Sequence, residues 1–191
     1  MSLVLVEHPR PEIAQITLNR PERMNSMAFD VMVPLKEALA QVSYDNSVRV
    51  VVLTGAGRGF SPGADHKSAG VVPHVENLTR PTYALRSMEL LDDVILMLRR
   101  LHQPVIAAVN GPAIGGGLCL ALAADIRVAS SSAYFRAAGI NNGLTASELG
   151  LSYLLPRAIG SSRAFEIYVD RSRRQRRGSR EDRAGIPSGT R

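Results

Sequence analysis

The chain has 191 residues and only one cysteine, Cys119, so an internal disulfide is excluded and a reducing cytoplasm is the expected compartment. It has no apolar run long enough to cross a bilayer, which removes a membrane-spanning helix and the membrane as a partner. The N-terminal MSLVLVEHPR lacks the basic start, long apolar segment and cleavage site of a signal peptide. Coiled-coil heptads and internal repeats are absent. The formal net charge is +6, yet eight arginines between Arg171 and Arg191, against Glu181 and Asp182, carry all of it. The body is neutral by the same count, so nucleic acid is not an expected partner of the folded part. The arginine-rich end also lacks the interleaved aromatics of a base-stacking platform. The whole chain is 45% hydrophobic and 21% charged, which fits one soluble domain with a true core.

The chain is organised around Pro104 to Ala129, PVIAAVNGPAIGGGLCLALAADIRVA. The apolar run Val105 to Val109 suits a strand buried on both faces. Asn110, Gly111 and Pro112 break it with turn chemistry. Gly115, Gly116 and Gly117 then lead into Leu118 to Ala124, whose alanines and leucines favour helix. Glycines at a helix entrance let another group come close to backbone, because no Cβ intervenes. The unpaired N–H groups of a first helical turn point outward, with partial positive charge from the dipole. Such a turn suits a developing oxyanion, but glycine-rich turns also cradle phosphates or simply pack tightly.

Around this stretch, Leu3 to Val6 and Ile13 to Leu18 read as strands joined by a hairpin loop from His8 to Glu12. Ser26 is placed to cap a helix from Met27 to Val42, with Phe29, Met32, Val33, Leu35, Leu39 and Val42 at helical spacing. Val48 to Thr54 is a further strand, Gly55 to Gly63 a loop, and His74 to Arg80 another loop. Tyr83 to Leu101 is helical, with Leu85, Met88, Leu91, Val94, Ile95 and Leu98 on one face. Ile126 to Ala129 and Tyr134-Phe135 are short strands, and Ala138 to Thr145 is a loop. Glu148 to Leu155 and Ser161 to Ile167 are helical, divided by Pro156 and Gly160. Apolar strands alternating with crossover helices predict an α/β fold with a parallel sheet.

Three segments in this order, Asn19-Arg-Pro-Glu-Arg-Met-Asn-Ser26, Gly59-Phe-Ser-Pro-Gly-Ala-Asp65 and Pro104-Val-Ile-Ala-Ala-Val-Asn-Gly-Pro-Ala-Ile-Gly-Gly-Gly117, resemble the crotonase family of enoyl-CoA hydratases and isomerases. The resemblance covers roughly Val4 to Ile167 and continues through Ser147-Glu-Leu-Gly-Leu-Ser-Tyr-Leu-Leu-Pro156. It implies a crotonase-like spiral of ββα units and an acyl-CoA thioester ligand. Coenzyme A would then be part of the substrate, with no permanently bound cofactor and no metal. It implies that the N–H groups of Ala64 and Gly116 meet the thioester oxygen, each donor being worth about 3 kcal/mol in the transition state. By the same resemblance Arg23, Met24 and Ser26 touch coenzyme A, Arg23 through a phosphate. The implied binding set also takes in Gly63, Ala64, Asp65, His66, Ile114, Gly115 and Gly116.

The family's hydratases use two glutamates, at positions that here hold Cys119 and Gly139. Neither residue replaces a carboxylate, so ordinary hydration is not expected. Glu148, in the otherwise apolar ASELGLSYLLP, lies close to where some family isomerases carry an acidic residue. One carboxylate suffices to take a proton from one carbon and return it to another. The expected function is therefore isomerase-like, with Ala64, Gly116 and Glu148 as catalytic groups; the alternative is an acyl-CoA-binding homologue without activity. Asp65 reads as a cap after the Gly63-Ala64 turn, Cys119 as an inert core residue, and His66 as a pocket-lining or surface residue.

Residues 1–167 form the expected acyl-CoA-binding core, and residues 168–191 an arginine-rich tail without apolar periodicity. Permitted codons for Tyr168 to Thr190, read from the second base of the tyrosine codon, yield a sequence resembling the family's continuation, a helix and a Gly-Leu-Val turn. A frameshift is the expectation, with the family's C-terminal helical region missing and its homotrimer or hexamer impaired.

Overall fold

A computed structural model describes residues 2–139 and 148–169. Strand β1 (Val4–Arg10) pairs antiparallel with β2 (Ile13–Leu18), and helix α1 (Phe29–Ser43) carries the chain to β3 (Val50–Gly55). Helix α2 (Arg80–Arg100) leads to β4 (Val105–Val109), followed by β5 (Ala113–Ile114), α3 (Gly116–Ala123), β6 (Ile126–Ala129) and β7 (Phe135–Arg136). A 3₁₀ turn at Glu148–Gly150 precedes α4 (Leu151–Ile159) and α5 (Ser161–Val169).

The main sheet has the order β1-β2-β3-β4-β6, and every pairing after the first is parallel. Parallel strands need long connections, and α1, α2 and α3 supply them. Val31, Met32, Leu35, Ala38, Leu39 and Val42 bury one stripe of α1 in the core, where a leucine is worth about 2 kcal/mol. Helix α3 is buried almost all round, from Gly117 to Ala123. Among the described residues no helix is long and apolar enough to cross a membrane.

Several sequence expectations are corrected. The first strand runs through His8 and Pro9 to Arg10, its pairing shifting register between Glu7 and Arg10, so the hairpin loop is shorter than His8 to Glu12. In β4 only Val105, Ala107 and Val109 are fully buried, while Ile106 and Ala108 are half-buried, so one face rather than two is sealed. Helix α2 begins at Arg80, one turn earlier than the periodicity predicts, because Thr79 caps it and accepts from Thr82 N–H. Its first half stands clear of the core, with Leu85 59% and Met88 41% exposed. Helix α4 passes through Pro156 and stops at Gly160. Helix α5 continues past Ile167 to Val169, with Tyr168 packed against the core and its hydroxyl donating to the Leu151 carbonyl at 2.9 Å. The expected loop from Ala138 to Thr145 lies outside the described residues from 140 onward, as does the tail from 170.

Candidate functional site

Two turns beyond the carboxyl ends of β3 and β4 meet backbone to backbone. The chain after β3 is anchored at Ser61, fully buried, whose N–H donates to the Pro112 carbonyl and whose carbonyl accepts from Ile114 N–H. Two residues on, Gly63 adopts φ +86°, a region open to glycine at little cost. A Cβ there would lie 2.7 Å from the Ile114 carbonyl oxygen and 3.1 Å from Gly116 N. Only a glycine lets the first turn sit this close to the second.

Met27 grips the first turn from the other side. Its N–H donates to the Gly63 carbonyl at 2.8 Å, and its carbonyl accepts from Asp65 N–H at 3.0 Å. These two bonds straddle Ala64. In a trans peptide the C=O and N–H point in opposite directions, so tying the Gly63 carbonyl to Met27 turns the Ala64 N–H away from it. Ala64 is exposed.

In the second turn, Gly115 has φ +53°, its N–H donates to the Arg136 carbonyl, and its own carbonyl accepts from Cys119 N–H. Helix α3 therefore starts at Gly116, inside the triplet and two residues before the predicted Leu118. A Cβ on Gly117 would collide with the Ser61 carbonyl, and one on Gly116 would come 2.5 Å from Met27 Sδ and 3.2 Å from Leu149 Cδ1. Among the described residues, no acceptor is bonded to the N–H of Ala64 or of Gly116. The arrangement offers two adjacent backbone donors without local partners, as an anionic oxygen requires.

The loop from Asn19 to Ser26 is drawn onto Asp65. Arg20 Nη1 donates to Asp65 Oδ2 at 3.0 Å, Arg23 Nη2 to Oδ1 at 2.7 Å and Oδ2 at 3.0 Å, and Ser26 Oγ to Oδ2 at 3.1 Å. Lys67 and Ser68 N–H groups donate to Oδ1. The Asp65 side chain is only 3% exposed. The Lys67 N–H, then the Arg23 guanidinium, Ser68 N–H and Ser26 hydroxyl hold its carboxyl well below the usual carboxylate range, against the opposing effect of desolvation. Ser26 thus does not cap α1, whose N-cap is Ala28 without a side-chain bond. Arg23, expected to meet a phosphate, is paired with the Asp65 carboxylate. Met24 packs on Gly59, and His66 is exposed.

Sequence reasoning passed over Asn25. It is fully buried with φ +64°, its Oδ1 accepts from Arg20 N–H, and its Nδ2 donates to the carbonyls of Ala56 and Gly59 at 2.9 Å. The only local signal was its residue type, since asparagine tolerates the left-handed region.

Glu148 opens the 3₁₀ turn, half-buried, followed by two left-handed residues, Leu149 at φ +53° and Gly150 at φ +70°. The turn is brought beside α3 by Leu149, which packs near Gly116, and by Cys119, whose Sγ donates to the Glu148 carbonyl at 3.8 Å. Burial, with the Glu148 charge adding to it, pushes the Cys119 thiol up to about 12. Gly139 is half-buried.

The model of the enoyl-CoA hydratase/isomerase family matches residues 10–181. The chain belongs to that family, and its fold is that of the crotonase superfamily, a mixed α/β architecture with a mostly parallel sheet. A probable enoyl-CoA hydratase of Mycobacterium tuberculosis is 98% identical over 169 residues, 88% of this chain and 59% of the relative. The 1,2-epoxyphenylacetyl-CoA isomerase of Escherichia coli is 39% identical over 163 residues, 85% of this chain and 61% of that protein. Among solved structures, a probable enoyl-CoA hydratase/isomerase from Mycobacterium abscessus has a TM-score of 0.81 at 72% identity, over 87% of this chain and 62% of that one. A monofunctional enoyl CoA isomerase from M. smegmatis has a TM-score of 0.70 at 65% identity, over 87% of this chain and 67% of that one. The chain thus spans about three-fifths of the length of the curated relatives it matches.

Proposed function

We propose that this chain binds an acyl-CoA thioester and moves its double bond by proton transfer through an enolate. The observation that carries the reading is the pair of N–H groups, Ala64 and Gly116, left without acceptors among the described residues where two turns abut. The thioester oxygen would accept both. Glu148 would take a proton from C2 of a 3-enoyl thioester as the electron pair moves onto that oxygen. The pair then returns, the double bond forms between C2 and C3, and protonated Glu148 gives its proton to C4. The balance closes with one carboxylate and no added water. Hydration would need further acid/base groups, and the positions where the resemblance puts them hold Cys119 and Gly139. The proximity of Glu148 to α3, through Leu149 and Cys119, supports its role.

Coenzyme A enters this reading as part of the substrate, met on the Arg23-Met24-Ser26 loop. The reading also includes a family homotrimer or hexamer and a cytoplasmic location. Exposed apolar residues, Phe165 at 68% and Val169 at 54% on α5 and Ile126 and Val128 at 52% on β6, support a need for further covering, and predict aggregation of the isolated chain.

The test is turnover of 3-enoyl-CoA and 2-enoyl-CoA by the full-length chain. Isomerisation is expected, and Glu148→Gln should lower kcat by about 10²–10⁴ while substrate binding persists. Turnover that survives the substitution removes Glu148 from the mechanism. Tight binding with no turnover in the unsubstituted protein favours the second reading, an inactive acyl-CoA binder, which the absence of both hydratase glutamates supports.

A further inference from the structure

We propose that Asp65 is a positioning residue that aims the Ala64 N–H, by locking the backbone of Met27 against the turn that Met27 orients. The proposal rests on the donor pair of the preceding reading. The direction of the Ala64 N–H is set by the peptide it shares with Gly63, and that peptide is oriented by the bond from Met27 N–H to the Gly63 carbonyl. Anything that lets Met27 slide releases the donor. Gly63 itself resists little, since its φ of +86° lies where glycine moves freely.

Met27 is the residue after Ser26, and Ser26 Oγ donates to Asp65 at 3.1 Å. The chain thus closes a ring: Asp65 N–H to the Met27 carbonyl, Met27 to Ser26, and Ser26 back to the Asp65 carboxylate. Arg20 and Arg23 extend the same grip to the start of the loop, at 3.0 and 2.7 Å. Lys67 and Ser68 N–H groups hold the carboxylate from its own side, so it is fixed before it fixes the loop. Its low exposure, 3%, lets these bonds act with little competition from water. The charge balance fits the same purpose. An unpaired carboxylate one residue from Ala64 would repel a forming oxyanion, whereas two guanidinium groups overcompensate it.

A cinnamoyl-CoA thioester is the probe, because its absorption moves to the red when the carbonyl oxygen accepts hydrogen bonds. Full-length protein carrying Asp65→Asn, Arg23→Gln or Ser26→Ala is saturated with it, and the shift of the bound form is read beside its Kd. The expected result, read on the saturated bound form whatever the change in Kd, is a shift cut by about half in Asp65→Asn, since one of two donors is misdirected. Arg23→Gln and Ser26→Ala should lower the shift by less and in the same direction. A role in folding alone would reduce the amount of binding-competent protein and leave the shift of the bound probe intact. A full shift in all three variants overturns the proposal. If Asp65→Asn does not fold, a full shift in both Arg23→Gln and Ser26→Ala overturns it equally. Absence of any shift with unsubstituted protein overturns the donor pair itself, and this proposal with it.

Discussion

The turn from Gly63 to Asp65 takes its shape from polar groups: the Met27 backbone on either side of Ala64 and five donor groups on one carboxylate. The turn from Gly115 to Gly117 has no ionised side chain of its own. It is shaped by backbone bonds to Arg136 and Cys119, and by backbone pressed against backbone at Ser61. Each holds an N–H group, Ala64 or Gly116, without an acceptor among the described residues, yet the two should fail under different stresses. A close-packed contact answers to added volume, and a carboxylate clamp answers to protons.

The largest effect is expected from volume. A methyl group at Gly117 would overlap the Ser61 carbonyl, which already accepts from Ile114 N–H, so relief requires moving backbone on both sides. Gly117→Ala should cost about 3 kcal/mol in urea unfolding of the full chain. Gly116→Ala is the contrast, because its Cβ meets the tip of Met27, a flexible thioether, and should cost about 1 kcal/mol. Equal losses would show that the second turn is not held by backbone contact.

Acid should act on the first turn. The Asp65 carboxyl is depressed by Lys67 N–H first, then Arg23, Ser68 and Ser26, so the unfolded chain takes up its proton at a higher pH than the folded one. The stabilisation is present above the ordinary carboxylate range and is lost as pH falls below about 4. Asp65→Asn should therefore be less stable at pH 7 and show a shallower loss of urea midpoint between pH 5 and pH 3 than the unsubstituted protein, within the roughly two-unit span where carboxylates titrate. Parallel acid limbs would detach the clamp from stability.

The two turns were also unequally legible in the sequence. Gly115 to Gly117 follows an apolar strand directly and precedes a run of alanine and leucine, a local pattern with a local meaning. Asp65 could be read as a cap for the same reason, since its bonds to Lys67 and Ser68 span two and three residues. Its partners Arg23 and Ser26 lie 42 and 39 residues away, and no periodicity announces an ion pair of that span. Ser26 therefore reads locally as a helix cap, and the phosphate role that the family resemblance gives Arg23 says nothing of its pairing with Asp65. Strands β5 and β7 have two residues each, too short for alternation to show, and their pairing joins Ala113 to Phe135 across α3 and β6. The early half of α2 kept its helical period but lost its apolar face, because period reports shape while burial depends on what lies opposite.

The smallest effect is expected at Cys119, and it bears on whether the second turn truly works without charge. By the family resemblance this is the place of a hydratase glutamate, but the residue is 2% exposed and its thiol is pushed up to about 12 by burial and by Glu148. A thiol in that range holds almost no thiolate at pH 8, and the thiolate is the nucleophile. Folded protein should then resist iodoacetamide at pH 8, while urea-unfolded protein takes up one equivalent, and Cys119→Ser should change turnover by less than about threefold. The group's folded value lies above its ordinary 9.0, so the folded state retains the proton longer. Stability is unaffected below about pH 9 and falls as pH rises toward 12, by up to about 1.4 kcal/mol for each unit, a decline the serine variant should lack. Rapid alkylation of the folded chain at pH 8 would mean that the turn carries a titrating group after all, and the division between a charged clamp and a packed one would not hold.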